Sequence, residues 1–85
     1  MKYHMLPAHM QNVMRRYIED GIEPGGFLTA VICNDLVGAF GMADDINLAN
    51  MKVWASFLYN EAPSGCWGSR RKMDGWIISR RETQG

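Results

Sequence analysis

The stretch Gly26-Phe27-Leu28-Thr29-Ala30-Val31-Ile32-Cys33-Asn34-Asp35-Leu36-Val37-Gly38-Ala39-Phe40-Gly41-Met42 decides how this chain is read. Leu28, Val31, Ile32, Leu36, Ala39 and Phe40 recur at steps of three and four, the spacing of one face of an α-helix. Phe27, Ala30, Cys33 and Val37 make much of the opposite side apolar too, and a helix apolar on most sides is usually central. The spacing predicts one helix from about Gly26 to Met42. A buried strand over Phe27 to Cys33 is the competing reading, but the helical period continues through Phe40. Gly38 and Gly41 fall on one side of this helix, where each costs roughly 1 kcal/mol against alanine; that points to a close neighbour.

Outward from this segment, three further helices are expected. Before it, a helix runs from about Pro7 to Asp20. Proline suits a first helical turn, and Met10, Val13, Met14, Tyr17 and Ile18 form one stripe. Gly21 reads as its C-terminal cap, with Ile22 folding back in a Schellman-type contact. The turn Glu23-Pro24-Gly25-Gly26 follows. After the central segment, a helix is expected from about Asp45 to Glu61, capped by Asp44 or Asp45. Leu48, Met51, Ala55 and Leu58 form its core stripe, flanked by Trp54 and Tyr59. Pro63, Ser64, Gly65 and Gly68 mark a loop. Ser69 caps a last helix that runs to about Arg81 and presents Met73, Trp76 and Ile77 to the core. The fold expected is an all-α single domain over residues 1–85, a small bundle of about four helices.

Composition narrows the class. A chain of 85 residues that is 47% hydrophobic can fold as one domain with a thin core, which dimerisation would reinforce. Two cysteines, Cys33 and Cys66, are too few for a disulfide framework and show no zinc spacing, so a reducing cytoplasmic setting is expected. No secretory leader is expected, since His4, Pro7 and His9 interrupt the first ten residues. No apolar run approaches the roughly 20 residues of a membrane span. Net charge is zero but uneven: +3 over residues 1–16, −6 over 17–68 and +3 over 69–85. A basic end beside an acidic middle suits head-to-tail packing or an anionic partner, and argues against a general nucleic-acid binder.

Three constellations are candidates for function. Asp35 falls in the middle of the expected apolar stripe, where a carboxylate must be paired, hydrogen-bonded or protonated. It reads either as a satisfied core acid or as an acceptor on a pocket floor, while Asn34 projects toward a different surface. The loop from Asn60 to Ser69 places Trp67 between glycines just before a helix N-terminus, followed by Ser69, Arg70 and Arg71. Free N–H groups and guanidinium groups attract anions, and an indole offers a face for stacking. The plainer reading has Trp67 plugging the core and the arginines solvated. The third set, Asn47, Asn50, Trp54, Phe57 and Glu61, shares an arc that reads as a ligand wall or an oligomer interface. A Cys66 nucleophile and a metal site both lack support, and there is no P-loop, GxGxxG or HExxH.

The runs Arg16 to Val31, Asn34-Asp35-Leu36 and Leu58 to Ser69 resemble a group of short tailed-bacteriophage and prophage accessory proteins. The string Pro63-Ser64-Gly65-Cys66-Trp67-Gly68-Ser69 is the most specific element, and the likeness spans about residues 15–77. Where those proteins often read Gly-Arg-Ala-Asp, this chain has Gly41-Met42-Ala43-Asp44. No catalytic residue carries over. The resemblance implies an antagonist of host defence, acting without catalysis in the infected cell. Three modes are open. The chain sequesters a nucleotide-like small molecule through Asn34, Asp35, Trp54, Trp67, Ser69, Arg70 and Arg71. It blocks a host protein. Or, less favoured, it binds nucleic acid through Arg70, Arg71, Lys72, Arg80 and Arg81. No cofactor, metal or membrane partner is expected, and a homo-oligomer is.

Overall fold

A computed structural model describes residues 1–84. Among them the chain is all-helical: α1 (Ala8–Asp20), α2 (Gly26–Ile32), α3 (Leu36–Met42), α4 (Asp45–Ala49), α5 (Met51–Asn60) and α6 (Arg70–Gln84). Short 3-10 turns cover Tyr3–Met5 and Ser64–Cys66.

The first and last long helices follow the sequence pattern. Met14, Tyr17 and Ile18 of α1 are buried, with Met10 and Val13 packed beside them. Gly21 ends α1 in the left-handed conformation at φ 68°, and its N–H returns to the Tyr17 carbonyl. The Ile22 N–H reaches back to Arg16, a wider return than the Schellman pattern predicts. A β-carbon at Gly21 would sit 2.7 Å from Arg80 Cβ and 2.9 Å from the Ile77 carbonyl oxygen, so α1 ends directly on α6. In α6, Met73 and Ile77 enter the core, and the half-buried Trp76 donates its indole N–H to the Ile18 carbonyl at 3.0 Å. Ser69 caps α6 as expected, accepting from the Lys72 N–H.

Four helices become six because both middle segments break. The expected helix over Gly26–Met42 stops at Ile32 and restarts at Leu36. Asn34 takes a left-handed φ of 62°, and the N–H groups of Asn34 and Asp35 return to Val31 and Ala30, a Schellman closure. Asp35 is therefore not inside the apolar stripe. It is exposed, and its carboxylate caps α3 by accepting the Gly38 N–H at 3.0 Å. That cap explains Gly38, because a β-carbon there would collide with the Asp35 carboxylate. It does not explain Gly41, whose β-carbon position meets nothing within 4 Å. Leu36 and Phe40, expected in the core, are exposed on α3, and only Ala39 of that helix is fully buried.

The segment Asp45–Glu61 breaks at Asn50, which closes α4 and opens α5. The Asn50 side-chain amide donates to the Ile46 carbonyl, competing with the helical ladder. The kink rotates the expected faces. Leu48 and Ala55 are exposed, while Trp54, Phe57 and Leu58 fill the core. The arc of Asn47, Trp54 and Phe57, expected to form a wall or an interface, is buried: Asn47 is 2% exposed and accepts the Trp54 indole N–H at 3.2 Å. Phe27 of α2 meets Trp54 edge-on at 5.6 Å between ring centres.

The loop after α5 is tied in from both ends. Tyr17 donates its buried hydroxyl to the Cys66 carbonyl at 2.6 Å, and the Gly68 N–H donates to the Ile32 carbonyl at 2.7 Å. The loop thus lies over the α2 C-terminus, next to the Asn34 turn.

Candidate functional site

The break at Asn34 and Asp35 opens a cavity. A space of about 300 Å³ lies between the α2–α3 corner and α5. Its walls are mostly apolar: Ala30, Val31, Leu36, Phe40, Met51 and Leu58, with the Trp54 ring among them. Asn34, Asp35 and Lys52 supply its polar groups. A shallower hollow of about 520 Å³ adjoins it, lined by Ser56, Tyr59, Asn60 and Trp67. The two share Asn34, Lys52, Ala55 and Leu58, so the cavity opens onto the shelf at Asn34 and Lys52.

Asn34 is the hinge of this arrangement. A non-glycine residue in the left-handed region carries backbone strain, which asparagine tolerates better than most. Here that conformation closes α2, positions Asp35 to cap α3 and places the amide on both hollows. Asn34 and Asp35, expected on separate surfaces, therefore meet at one.

The structure brings together only part of the expected set. Asn34, Asp35 and Trp54 line the cavity, and Asn34 and Trp67 line the shelf. Trp54 is 1% exposed, and its N–H is committed to Asn47. Trp67 is half-buried. Ser69, Arg70 and Arg71 line neither hollow. Ser69 is occupied as the α6 cap, and Arg70 pairs with Glu23 at 3.6 Å and Asp74 at 3.2 Å. The cation at the site is Lys52, missed in the sequence because it sits alone amid seven acids over residues 17–68. Its place four residues before Ser56 and three after Ala49 carries no motif.

Nucleophilic chemistry finds no footing in either thiol. Burial pushes the Cys66 thiol up to about 11, and burial likewise raises Cys33, whose sulfur rests 3.9 Å from that of Met73. Both are protonated near neutral pH, and the thiolate is the reactive form. Burial, followed by the charge of Glu19, pushes the Tyr3 hydroxyl up to about 12. Among the described residues no group of His, Cys, Asp and Glu is placed to hold a metal ion, and no helix is long and apolar enough to cross a membrane. No family model matches the chain, and no curated protein or solved structure shows significant similarity to it.

Proposed function

We propose that this chain is a non-enzymatic binding protein that captures a small nucleotide-derived molecule in the cavity beside Asn34. The observation that carries the reading is the convergence of Asn34, Asp35, Lys52 and Trp67, from three parts of the chain, around one opening onto an apolar cavity. An apolar space of about 300 Å³ suits a flat ring, and ligand sites typically combine apolar walls with a few placed polar groups. The Asn34 amide and the Asp35 carboxylate would read the ring edge or a ribose hydroxyl. Lys52 would hold an anionic group, and Trp67 and Tyr59 would cover the part of the ligand that stays on the shelf. The phosphate role moves from Arg70 and Arg71 to Lys52.

The likeness of the Pro63–Ser69 loop to short phage proteins supports a ligand drawn from host defence signalling, removed by sequestration. A second reading, capture of a host protein, is favoured by the exposed side chains of α3 and α4, among them Leu36 at 67% and Val37 at 83% exposure.

Isothermal titration of the full chain with cyclic AMP, a cyclic dinucleotide and ADP-ribose tests the proposal. Saturable heat is expected with at least one, weakened at least tenfold by Lys52→Ala and by Asn34→Gly, and unchanged by Arg71→Ala. Heat-free titrations with all three, or binding abolished by Arg71→Ala and untouched by Lys52→Ala, would overturn it.

A further inference from the structure

The cavity and the shelf beside it differ in kind. The cavity is walled mainly by aliphatic side chains, whereas the shelf is bordered by two aromatic rings from different parts of the chain, Tyr59 of α5 and Trp67 of the loop. Tyr59 is 82% exposed, so its ring is open to a partner. The backbone is fixed on both sides of Trp67: the Cys66 carbonyl accepts the Tyr17 hydroxyl at 2.6 Å, and the Gly68 N–H donates to the Ile32 carbonyl at 2.7 Å. An aromatic side chain on a backbone already held loses little freedom when a flat ring settles on it. Stacking on such rings accepts any base, because every base has a π-face.

The junction between the two hollows is polar and uncommitted. Asn34 and Lys52 line both. Among the described residues the Asn34 amide makes no hydrogen bond and Lys52 makes no ion pair. Lys52 is also the one cation among the residues lining either hollow, and Asp35 on the cavity side opposes any further negative charge. Lys52, Ser56 and Tyr59 follow at steps of four and three along α5, so the ammonium and the phenol ring share one side of that helix. Seven residues separate Lys52 from Tyr59, about 10 Å along the helix axis, comparable to the length of a nucleoside.

We infer that the ligand has two ring systems joined by a single anionic linkage, as in a dinucleoside monophosphate. One base enters the cavity, the linking phosphate sits at Lys52 and Asn34, and the second base lies on the shelf against Tyr59 and Trp67. This rests on the capture of a nucleotide-derived molecule beside Asn34 and adds a second lobe to it. Once the first base is held, the second contact is intramolecular, so a two-base ligand binds more tightly than either half.

Isothermal titration of the full chain with the dinucleoside monophosphate ApA, cyclic AMP and adenosine tests it. ApA and cyclic AMP each carry one negative charge, so the comparison isolates the second base. ApA is expected to bind one per chain and about tenfold more tightly than cyclic AMP. Tyr59→Ala, at an exposed position, should weaken ApA by about tenfold and leave cyclic AMP unchanged, while Tyr59→Phe keeps the ring and the affinity. Circular dichroism checks that both variants stay helical. Lys52→Ala should weaken ApA and cyclic AMP together and spare adenosine. Equal affinities for ApA and cyclic AMP would overturn the second lobe and leave capture beside Asn34 standing. So would a Tyr59→Ala variant that binds ApA as the unaltered chain does, or that weakens both ligands alike. Titrations without heat for all three ligands would overturn the capture itself, and the second lobe with it.

Discussion

At the residue scale Asn34 sets the corner between α2 and α3. Its left-handed backbone is tolerable for asparagine and free for glycine, but strained for a residue with a β-carbon and no local hydrogen bond. Asn34→Ala should therefore lower stability by about 1 kcal/mol in urea unfolding, while Asn34→Gly should leave it within about 0.5 kcal/mol and remove only the amide. Equal losses in the two variants would show that the backbone conformation is not what the position demands. Asp35 was legible as a polar residue in an apolar stretch, but its meaning was inverted. Read on an unbroken helix it is a buried charge; as an N-cap it faces water and holds the Gly38 N–H. Asp35→Ala should cost about 1 kcal/mol by loss of that cap, and Asp35→Ser should recover most of it. The thiols give a further check. Cys66 is fully buried and its thiol sits near 11, so a thiol reagent at pH 7.5 should modify Cys33 first and Cys66 only as the protein unfolds.

At the element scale, α1 and α6 were legible because stripe and caps agree. Tyr17 and Ile18 share a face, Gly21 stops one helix and Ser69 starts the other. The breaks at Asn34 and Asn50 were not legible from period alone. Leu28, Val31, Ile32, Leu36, Ala39 and Phe40 keep helical spacing across the first break, so the apolar pattern runs straight through a corner in the chain. The missed signal was local: an asparagine able to close one helix, followed at once by an aspartate able to open the next, with glycine three residues on. Lys52 was missed because a lone lysine on a helix carries no sequence signature. The joint between α1 and the Cys66 loop makes a sharp prediction. Tyr17→Phe leaves the buried Cys66 carbonyl without its donor and should cost about 1–3 kcal/mol in thermal or urea unfolding. A neutral result would mean that the Tyr17–Cys66 bond does not hold the loop.

At the scale of the whole molecule, the six helices leave one side thinly covered. α3 contributes only Ala39 to the buried core, and its outer residues face away from it. The same arrangement leaves the cavity between the α2–α3 corner and α5. Distant parts are also joined electrostatically: His9 of α1 lies 2.9 Å from the carboxylate of Asp44, which caps α4 by accepting the Asn47 N–H. That N–H, and then His9, hold the Asp44 carboxyl below its ordinary value of 3.8. A depressed carboxyl stabilises the fold above its unfolded value and loses that contribution as pH falls through the folded one. Acid unfolding below about pH 4 should therefore be steeper in the native chain than in Asp44→Asn, whose amide still caps α4 but does not titrate. Parallel acid curves would remove Asp44 from the account.

The opening beside Asn34 is proposed to receive a ligand, and the indole N–H resonances of Trp54, Trp67 and Trp76 report on it. In a ¹⁵N–¹H titration with the ligand that gives heat, the Asn34 and Lys52 amides and the Trp67 indole should shift with one saturation curve. The Trp76 indole, bonded to Ile18 away from the cavity, should stay in place. Saturating shifts centred on Arg70 and Arg71, with Asn34 and Trp67 unmoved, would contradict it.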